Sequence, residues 1–567
     1  MAAYNWGNGG RRGICGYEKA LHVIGGQWFM VFASFLIMAG AGATYLFGTY
    51  SKAIKSSQGY DQTSLNLLGF FKELGANVGV ISGLVAEVTP TWFVLLIGSA
   101  MNFVGYFIIW LAVTDRISKP KVWQMCLYIC IGANSQNFAN TAALVPCVKN
   151  FPESRGLMLG LLKGYLGLSG AIMTQLYLAI YGDDSKSLIL LIAWLPAAIS
   201  VVFVYTIRPM KVVRQPSQLM IFKQFLCASI ALALFLMAAI IIQRQFVFSQ
   251  AAYAGSATAV CILLFVPLFI AIREEILIWN LEKKHDPPLI ESTIEKTQIV
   301  ESQQVKKNSS WFANIFDKPE RGEDYTILQA LLSIDMIILF IATFCGLGAS
   351  LTALDNLGQI GESLGYPSNT VSSFVSLVSI WNYFGRVFSG FASEILLKKY
   401  KLPRPLMLTL VLFLSCIGHL LIAFPVRGSV YMASVIIGFT YGAQLPVNYA
   451  IVSDLFGLKY YATLSNCGQI TSPLGSYILN VKVTGYLYDR EARKQLQTSG
   501  KALMKSAELT CLGTECFRLS FIIITLVTLA GAIVSLFLVM RTREFYKSDI
   551  YKKFKEDATE ELPSSSS

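Results

Sequence analysis

Segments of about 20 apolar residues recur along this chain, and a helix of that length crosses the hydrocarbon core of a bilayer. Water is absent there, so each backbone N–H and C=O must find its partner within the protein, which leaves helices and closed barrels as the only spanning structures. These apolar runs read as membrane-spanning helices. Eight spans are expected before the middle of the sequence, at 27–50, 65–88, 91–113, 122–148, 156–181, 187–207, 219–243 and 250–272. Six follow, at 327–352, 369–393, 404–425, 428–453, 460–482 and 518–540, about fourteen in all. Of the 567 residues only 14% are charged, against about 25% in soluble domains, and most of the chain cannot face water. The fold class this implies is an all-α polytopic membrane protein.

A net charge of +12 invites a nucleic-acid reading, but the basic residues fall between apolar segments rather than on one aromatic-bearing face. They fit membrane topology instead. Arg208, Lys211, Arg214, the linker, Lys398, Lys399, Lys401, Arg404 and the tail with Arg541, Arg543, Lys547, Lys552, Lys553 and Lys555 mark the inner side; the intervening loops hold fewer, among them Arg427. Both termini are thus expected in the cytoplasm, and the first span, preceded by Arg11, Arg12 and Lys19, reads as a retained signal anchor. Cys511 and Cys516 lie in the polar loop before the last span, on the outer or lumenal side, where they form either a small disulfide loop or two free thiols.

The stretch GVISGLVAE at 79–87 returns as GRVFSGFASE at 385–394, each at the end of a span and each preceded twenty residues earlier by Gly-Tyr. A repeated unit in a membrane protein points to two like halves. The match aligns the first two spans with the ninth and tenth, which fixes a six-helix unit and marks the seventh and eighth spans as an insert. The expected organisation is an N-terminal cytoplasmic segment 1–26, a bundle 27–207, an inserted pair 208–272, a charged linker 273–326, a second bundle 327–540 and a cytoplasmic tail 541–567.

Within the repeat, Gly83 and Glu87 correspond to Gly390 and Glu394, with Gly385 and Arg386 one turn or more before. Glycine lets helices touch backbone to backbone, and a carboxylate at a helix end beside basic residues makes either a breakable cytoplasmic latch or a plain interfacial contact. The first copy lacks trailing basic residues, so the latch is expected around Arg386 and Glu394. The offset of 307 between Glu87 and Glu394 also pairs Asn134, Asn137 and Thr141 with Tyr441, Gln444 and Asn448. Each trio lies on one helical face, turned to a solute path or to interhelical hydrogen bonds. Charges within spans cost roughly 2.5–3.5 kcal/mol each on insertion scales; Lys72, Glu73, Lys163 and Asp335 are therefore candidates. Adjacent on a helix, Lys72 and Glu73 are expected to look to different partners. Lys163 would hold an anion or Glu73, and Asp335 would carry a proton, reach across the halves or lie at the interface. The glycines of GLMLGLLKGYLGLSG at 156–170 form a smooth packing face.

No histidine or cysteine cluster has metal-ligand spacing, and neither HExxH nor a P-loop occurs, so no metal, cofactor or enzymatic activity is expected. The doubled Gly-x-x-x-Glu element and FPESRG resemble signatures of the major facilitator superfamily. WFMVFASFLIMAGAGATYLFGTYS, LGFFKELGANVGVISGLVAEVTP, WNYFGRVFSGFASE and CLGTECF resemble the plant nodulin-like branch that includes the nuclear-fusion-defective group. The resemblance implies a multi-pass solute carrier in a plant plasma membrane or endomembrane and supplies no substrate. The leading expectation is a secondary active transporter whose two six-helix bundles work by alternating access, with protons as a candidate coupling ion, and the buried Lys72 and Lys163 point to a small polar or anionic solute. A receptor or scaffold that keeps the fold without transporting is the alternative.

Overall fold

The computed structural model describes residues 17–42, 46–60, 62–182, 184–210, 217–246, 248–285, 318–426, 428–498, 511–548 and 550–551. Arg11, Arg12, Lys211, Arg214, Arg427, Lys552, Lys553, Lys555 and most of the charged linker lie outside them. The first part holds α1 (Tyr17–Gly25), α2 (Gln27–Gly40), α3 (Phe47–Gln58), α4 (Gln62–Asn77), α5 (Val80–Val88), α6 (Thr91–Val113), α7 (Val122–Asn150), α8 (Arg155–Tyr181) and α9 (Ser185–Val202). An inserted pair, α10 (Gln218–Gln245) and α11 (Gln250–His285), precedes the second part: α12 (Ile327–Leu331), α13 (Ile334–Ser363), α14 (Ser368–Tyr400), α15 (Arg404–Ala423), α16 (Ser429–Phe456), α17 (Tyr461–Gln469), α18 (Thr471–Ser476), α19 (Tyr486–Thr498) and α20 (Glu515–Lys547). A π-wound stretch, Tyr477–Gly485, joins α18 to α19.

Among the described residues, ten helices are long and apolar enough to cross a membrane, or up to 11 if a bent pair counts as one span. The other expected spans are helical too, but α7 and α14 are diluted by polar residues, and the segments around α2–α3 and α17–α18 are broken. Unlike the expected linker starting at 273, α11 runs on to His285.

The two bundles repeat one packing scheme. In the first, α6 packs on α7 and α9 while α4 packs on α7; in the second, α15 packs on α16 and α20 while α14 packs on α16. Close approach is written into the glycines: a Cβ on Gly75 would overlap the Cys130 carbonyl, and one on Gly385 the Phe439 carbonyl. The inserted pair lies against α8 and α2. Its Glu275, buried on α11, accepts a 2.7 Å hydrogen bond from Trp28 N. That bond satisfies a donor left free where the chain bends 56° between α1 and α2.

Between the bundles, α8 carries the longest seam. Its first half packs on α14, whereas its second half turns to the insert, where Gln175 bonds Gln243 at 3.1 and 2.8 Å and receives Ser256 Oγ at 2.8 Å. The bundles therefore meet mainly on the side holding the chain ends near Gly25 and Lys547, called the terminal face below.

Candidate functional site

On the terminal face each copy of the repeat reaches into the other bundle. Gly83 faces Ala462 and Thr463 at the start of α17, and Gly390 faces Gly156 and Gly160 at the start of α8. One turn on, Glu87 Oε1 accepts a hydrogen bond from Thr463 N at 3.2 Å, and Glu394 Oε2 accepts one from Gly156 N at 2.9 Å. Gly156 and Thr463 are themselves 307 positions apart, so the same carboxylate-on-helix-start contact is made twice, in both directions. The first N–H groups of a helix lack internal partners and carry the positive end of its dipole, which suits a carboxylate.

The two contacts differ in what surrounds them. Arg404, fully buried, binds Glu394 Oε2 at 2.7 Å and Asp454 Oδ2 at 2.6 Å. From the first bundle, Arg155 Nη1 donates to Ser453 O at 2.9 Å and approaches Asp454 Oδ1 at 3.5 Å. Lys398 stands 3.6 Å from Glu394 Oε1. Tyr546 donates to Asp454 Oδ2 at 3.2 Å; Tyr551 donates to Glu394 Oε1 at 3.1 Å and accepts from Arg404 Nη2 at 2.8 Å. Burial first, then the Glu394 carboxylate, pushes the Tyr551 phenol well above its ordinary pKa, so it stays a donor. Arg386 and Glu394, around which the latch is expected, do not meet each other. Two helical turns separate them along α14, and Arg386 instead binds Asn382 Oδ1 at 2.9 Å and Lys163 O at 2.8 Å. Arg404 read only as a topology signal, Arg155 only as part of FPESRG, and Asp454, at the end of α16, was passed over.

Deeper in the seam Lys163 is buried on α8. Its ammonium donates to Asn140 Oδ1 at 3.1 Å and lies 4.0 Å from the centre of the Tyr449 ring. Among the described residues no carboxylate pairs with it. Of the α16 trio, Gln444 donates to Ser350 Oγ at 3.3 Å and Thr440 O at 3.1 Å, Tyr441 is half-buried, and Asn448 is 4% exposed with both amide atoms lacking a partner among the described residues. Asn448 lines a small, mainly apolar pocket with Leu339, Phe340, Thr343, Tyr449 and Val452. The matching α7 residues are engaged. Asn134 donates to Gly75 O and Val78 O, and Asn137 to Gly75 O, at 2.8–3.0 Å; these carbonyls belong to the break between α4 and α5. Thr141 meets Ser82 Oγ at 3.1 Å and accepts from Asn466, across the seam, at 2.9 Å.

Lys72 and Glu73 pair with each other, against the expectation of separate partners: their long side chains curl together although their Cβ atoms diverge, and Asn77 adds a 3.1 Å bond to Glu73. Their charges act on Asp355 of α13, which the sequence reading passed over; Asn480 in the π-wound stretch donates to it at 3.2 Å, and Asn356 donates to Asn480 at 2.7 Å. Asp335 is ion-paired through both carboxylate oxygens. It sits at the terminal end of α13 between Arg321, 2.8 Å away, and Arg541, 2.7 Å away. Cys511 and Cys516 form a disulfide, with Cα atoms 5.8 Å apart, beside the far end of α13, where Gly513 N donates to Ser363 O. No group of three or more metal-ligating side chains occurs among the described residues.

Two repeated six-helix bundles, joined on one face by reciprocal carboxylate contacts and flanking a buried cation, make a membrane protein of the major facilitator fold. Solved structures agree. The proton:xylose symporter XylE in a double-tryptophan variant superposes with a TM-score of 0.54 at 11% identity, covering 90% of this chain and 95% of that one. XylE bound to 6-bromo-6-deoxy-D-glucose gives 0.51, also at 11%, covering 92% and 96%. Residues 27–272 match the Nodulin-like family and 323–548 the NFD4 C-terminal domain, and the chain belongs to this nodulin-like, nuclear-fusion-defective family. It is 25% identical over 539 residues to Protein NUCLEAR FUSION DEFECTIVE 4 of Arabidopsis thaliana, covering 92% of this chain and 89% of the relative. Over 212 residues it is 26% identical to "Probable transporter MCH1" of Yarrowia lipolytica, covering 36% of this chain and 41% of that protein.

Proposed function

We propose that this chain is a secondary active transporter in which the two bundles rock about the α8–α14 seam to expose a central site to each side of the membrane in turn. The terminal face is the cytoplasmic one, closed here, and the solute is a small anion or a polar molecule bearing one negative charge. Lys163 carries this reading. An ammonium deep in a span is costly, and this one, set at the seam, is met among the described residues by an amide oxygen and an aromatic face, so a solute anion completes its shell. Asn448, with both amide atoms unclaimed, supplies a donor and an acceptor to the solute's polar end. Gln444 and Tyr441 flank it on α16. Glu73 and Asp355, on helices of different bundles, are the carboxylates suited to proton coupling. The relative named a transporter supports the class, not the solute.

The test is uptake into liposomes holding purified protein, under a proton gradient and by counterflow, with a panel of small carboxylates, phosphates and sugars. Lys163→Met is expected to lower uptake of the active anion by at least about tenfold, the loss of one charged hydrogen bond, while Lys163→Arg retains part of it. If no solute moves in either mode and Lys163→Met changes nothing, the reading fails.

A further inference from the structure

Tyr551 lies beyond the last helix, outside any span, yet only 6% of it is exposed. Its hydroxyl bridges Glu394 Oε1, at 3.1 Å, and Arg404 Nη2, at 2.8 Å, both in the second bundle. Its ring lies 5.9 Å from the guanidinium of Arg155, which belongs to the first. The phenol thus occupies the place where the bundles meet, and it takes one oxygen of the carboxylate whose other oxygen caps Gly156 N across the seam. A carboxylate fixed at Oε1 cannot swing its Oε2 away from α8. Five residues earlier, Tyr546 holds Asp454 Oδ2 in the same way, and Asp454 is the acid that Arg155 approaches. Each acid facing the first bundle is therefore oriented by a tyrosine from the C-terminal segment.

Tyr546 and Tyr551 are buried in the main core and Ile550 packs against it, so the segment is held by packing on one side. A cavity of about 350 Å³, lined by Glu153, Leu397, Lys398, Lys401, Ser548 and Tyr551, opens beside it. Close packing around an anchored chain leaves few voids larger than a water molecule, so on this open flank the hydroxyl's bonds to Glu394 and Arg404 add to the packing of the ring on the other side.

We propose that Tyr551 is a gate-positioning residue. By orienting Glu394 toward the start of α8 and offering its ring to Arg155, the segment after α20 biases the transporter toward the state closed on the terminal face, and loosening it releases that face to open. The proposal rests on the alternating-access reading above, but its test needs no solute.

The experiment places reporter cysteines in the full chain, Ala462→Cys in the closed terminal seam and Gln359→Cys on the Asp355 face of α13, and reads each by peptide-resolved labelling with a membrane-impermeant maleimide from either side. In Tyr551→Phe, which keeps the ring and loses two hydrogen bonds to charged groups, labelling at position 462 is expected to rise about tenfold while labelling at position 359 falls. Tyr551→Ala, which also removes the ring from Arg155, is expected to go further in the same directions. Unchanged labelling at both positions overturns the proposal, as does a rise at both, which marks loosened packing rather than a shifted gate. Glu394→Gln runs alongside: if it opens the terminal face and Tyr551→Phe does not, Tyr551 has no gating role, and if neither variant moves either reporter, the alternating-access reading falls together with the proposal.

Discussion

At residue resolution the terminal face turns on Arg404. Its planar guanidinium spans two carboxylates at once, Glu394 at 2.7 Å and Asp454 at 2.6 Å, and all three are buried. Arg suits that place because its donors lie in a fixed fork, and Lys would offer one point charge. Removing it strands two acids without their cation, and breaking a buried pair typically costs about 3–5 kcal/mol. Arg404→Ala is accordingly expected to lower resistance to thermal unfolding in detergent sharply, and Arg404→Lys to fall between it and the parent. A parent-like melting curve for Arg404→Ala would contradict the network. The sequence revealed that this arginine was charged and near a helix start, but its partners come from α14 and α16, ten and fifty residues distant, and spacing within one helix says nothing about such meetings.

Between elements, glycine sets the distances. A Cβ on Gly160 would stand 3.1 Å from Gly390 Cα and 3.2 Å from Arg386 O, so α8 and α14 touch along their backbones where the bundles must close. Gly160→Leu is expected to wedge them apart. Overpacking of this kind costs about 1–3 kcal/mol, enough to cut uptake about tenfold while helix content by circular dichroism stays unchanged; parent-like uptake would show that this seam does not close during transport. The sequence made the glycine face legible because its spacing of four is regular. The breaks were harder to see. The α4–α5 interruption carries no proline, and the α7 amides that satisfy its carbonyls looked like residues aimed at a solute, since a polar stripe has the same pattern whether it faces water or a neighbour's backbone.

For the whole molecule, the duplication is geometrically faithful and energetically lopsided. Glu87 and Glu394 each cap the start of the other bundle's helix, but Glu394 also carries Arg404, Lys398 and Tyr551. Neutralising Glu87 as Glu87→Gln keeps an acceptor for Thr463 N and is expected to cost under about 1 kcal/mol. Glu394→Gln leaves Arg404 underpaired in a buried site and is expected to cost several times more, read as a larger gain of terminal-face labelling. Equal effects would mean that the ionic surroundings of Glu394 contribute nothing to closure. The contact between the bundles therefore has a strong and a weak fastening, and the strong one includes the C-terminal segment.

Apolar length and the 307-residue repeat determined by themselves that this chain spans a membrane as two like bundles with an inserted pair, because burial in hydrocarbon is demanded of every residue in a run and is visible in composition alone. The repeat also identified Glu87 and Glu394 as equivalent. Which cation meets which acid was decided only by tertiary structure: Lys72 with its neighbour Glu73, Asp335 with Arg321 and Arg541, and Glu394 with Arg404 rather than Arg386. Ion pairs form between side chains that folding brings within a few ångströms, and that proximity is a property of the packed bundles, not of the order of residues along them.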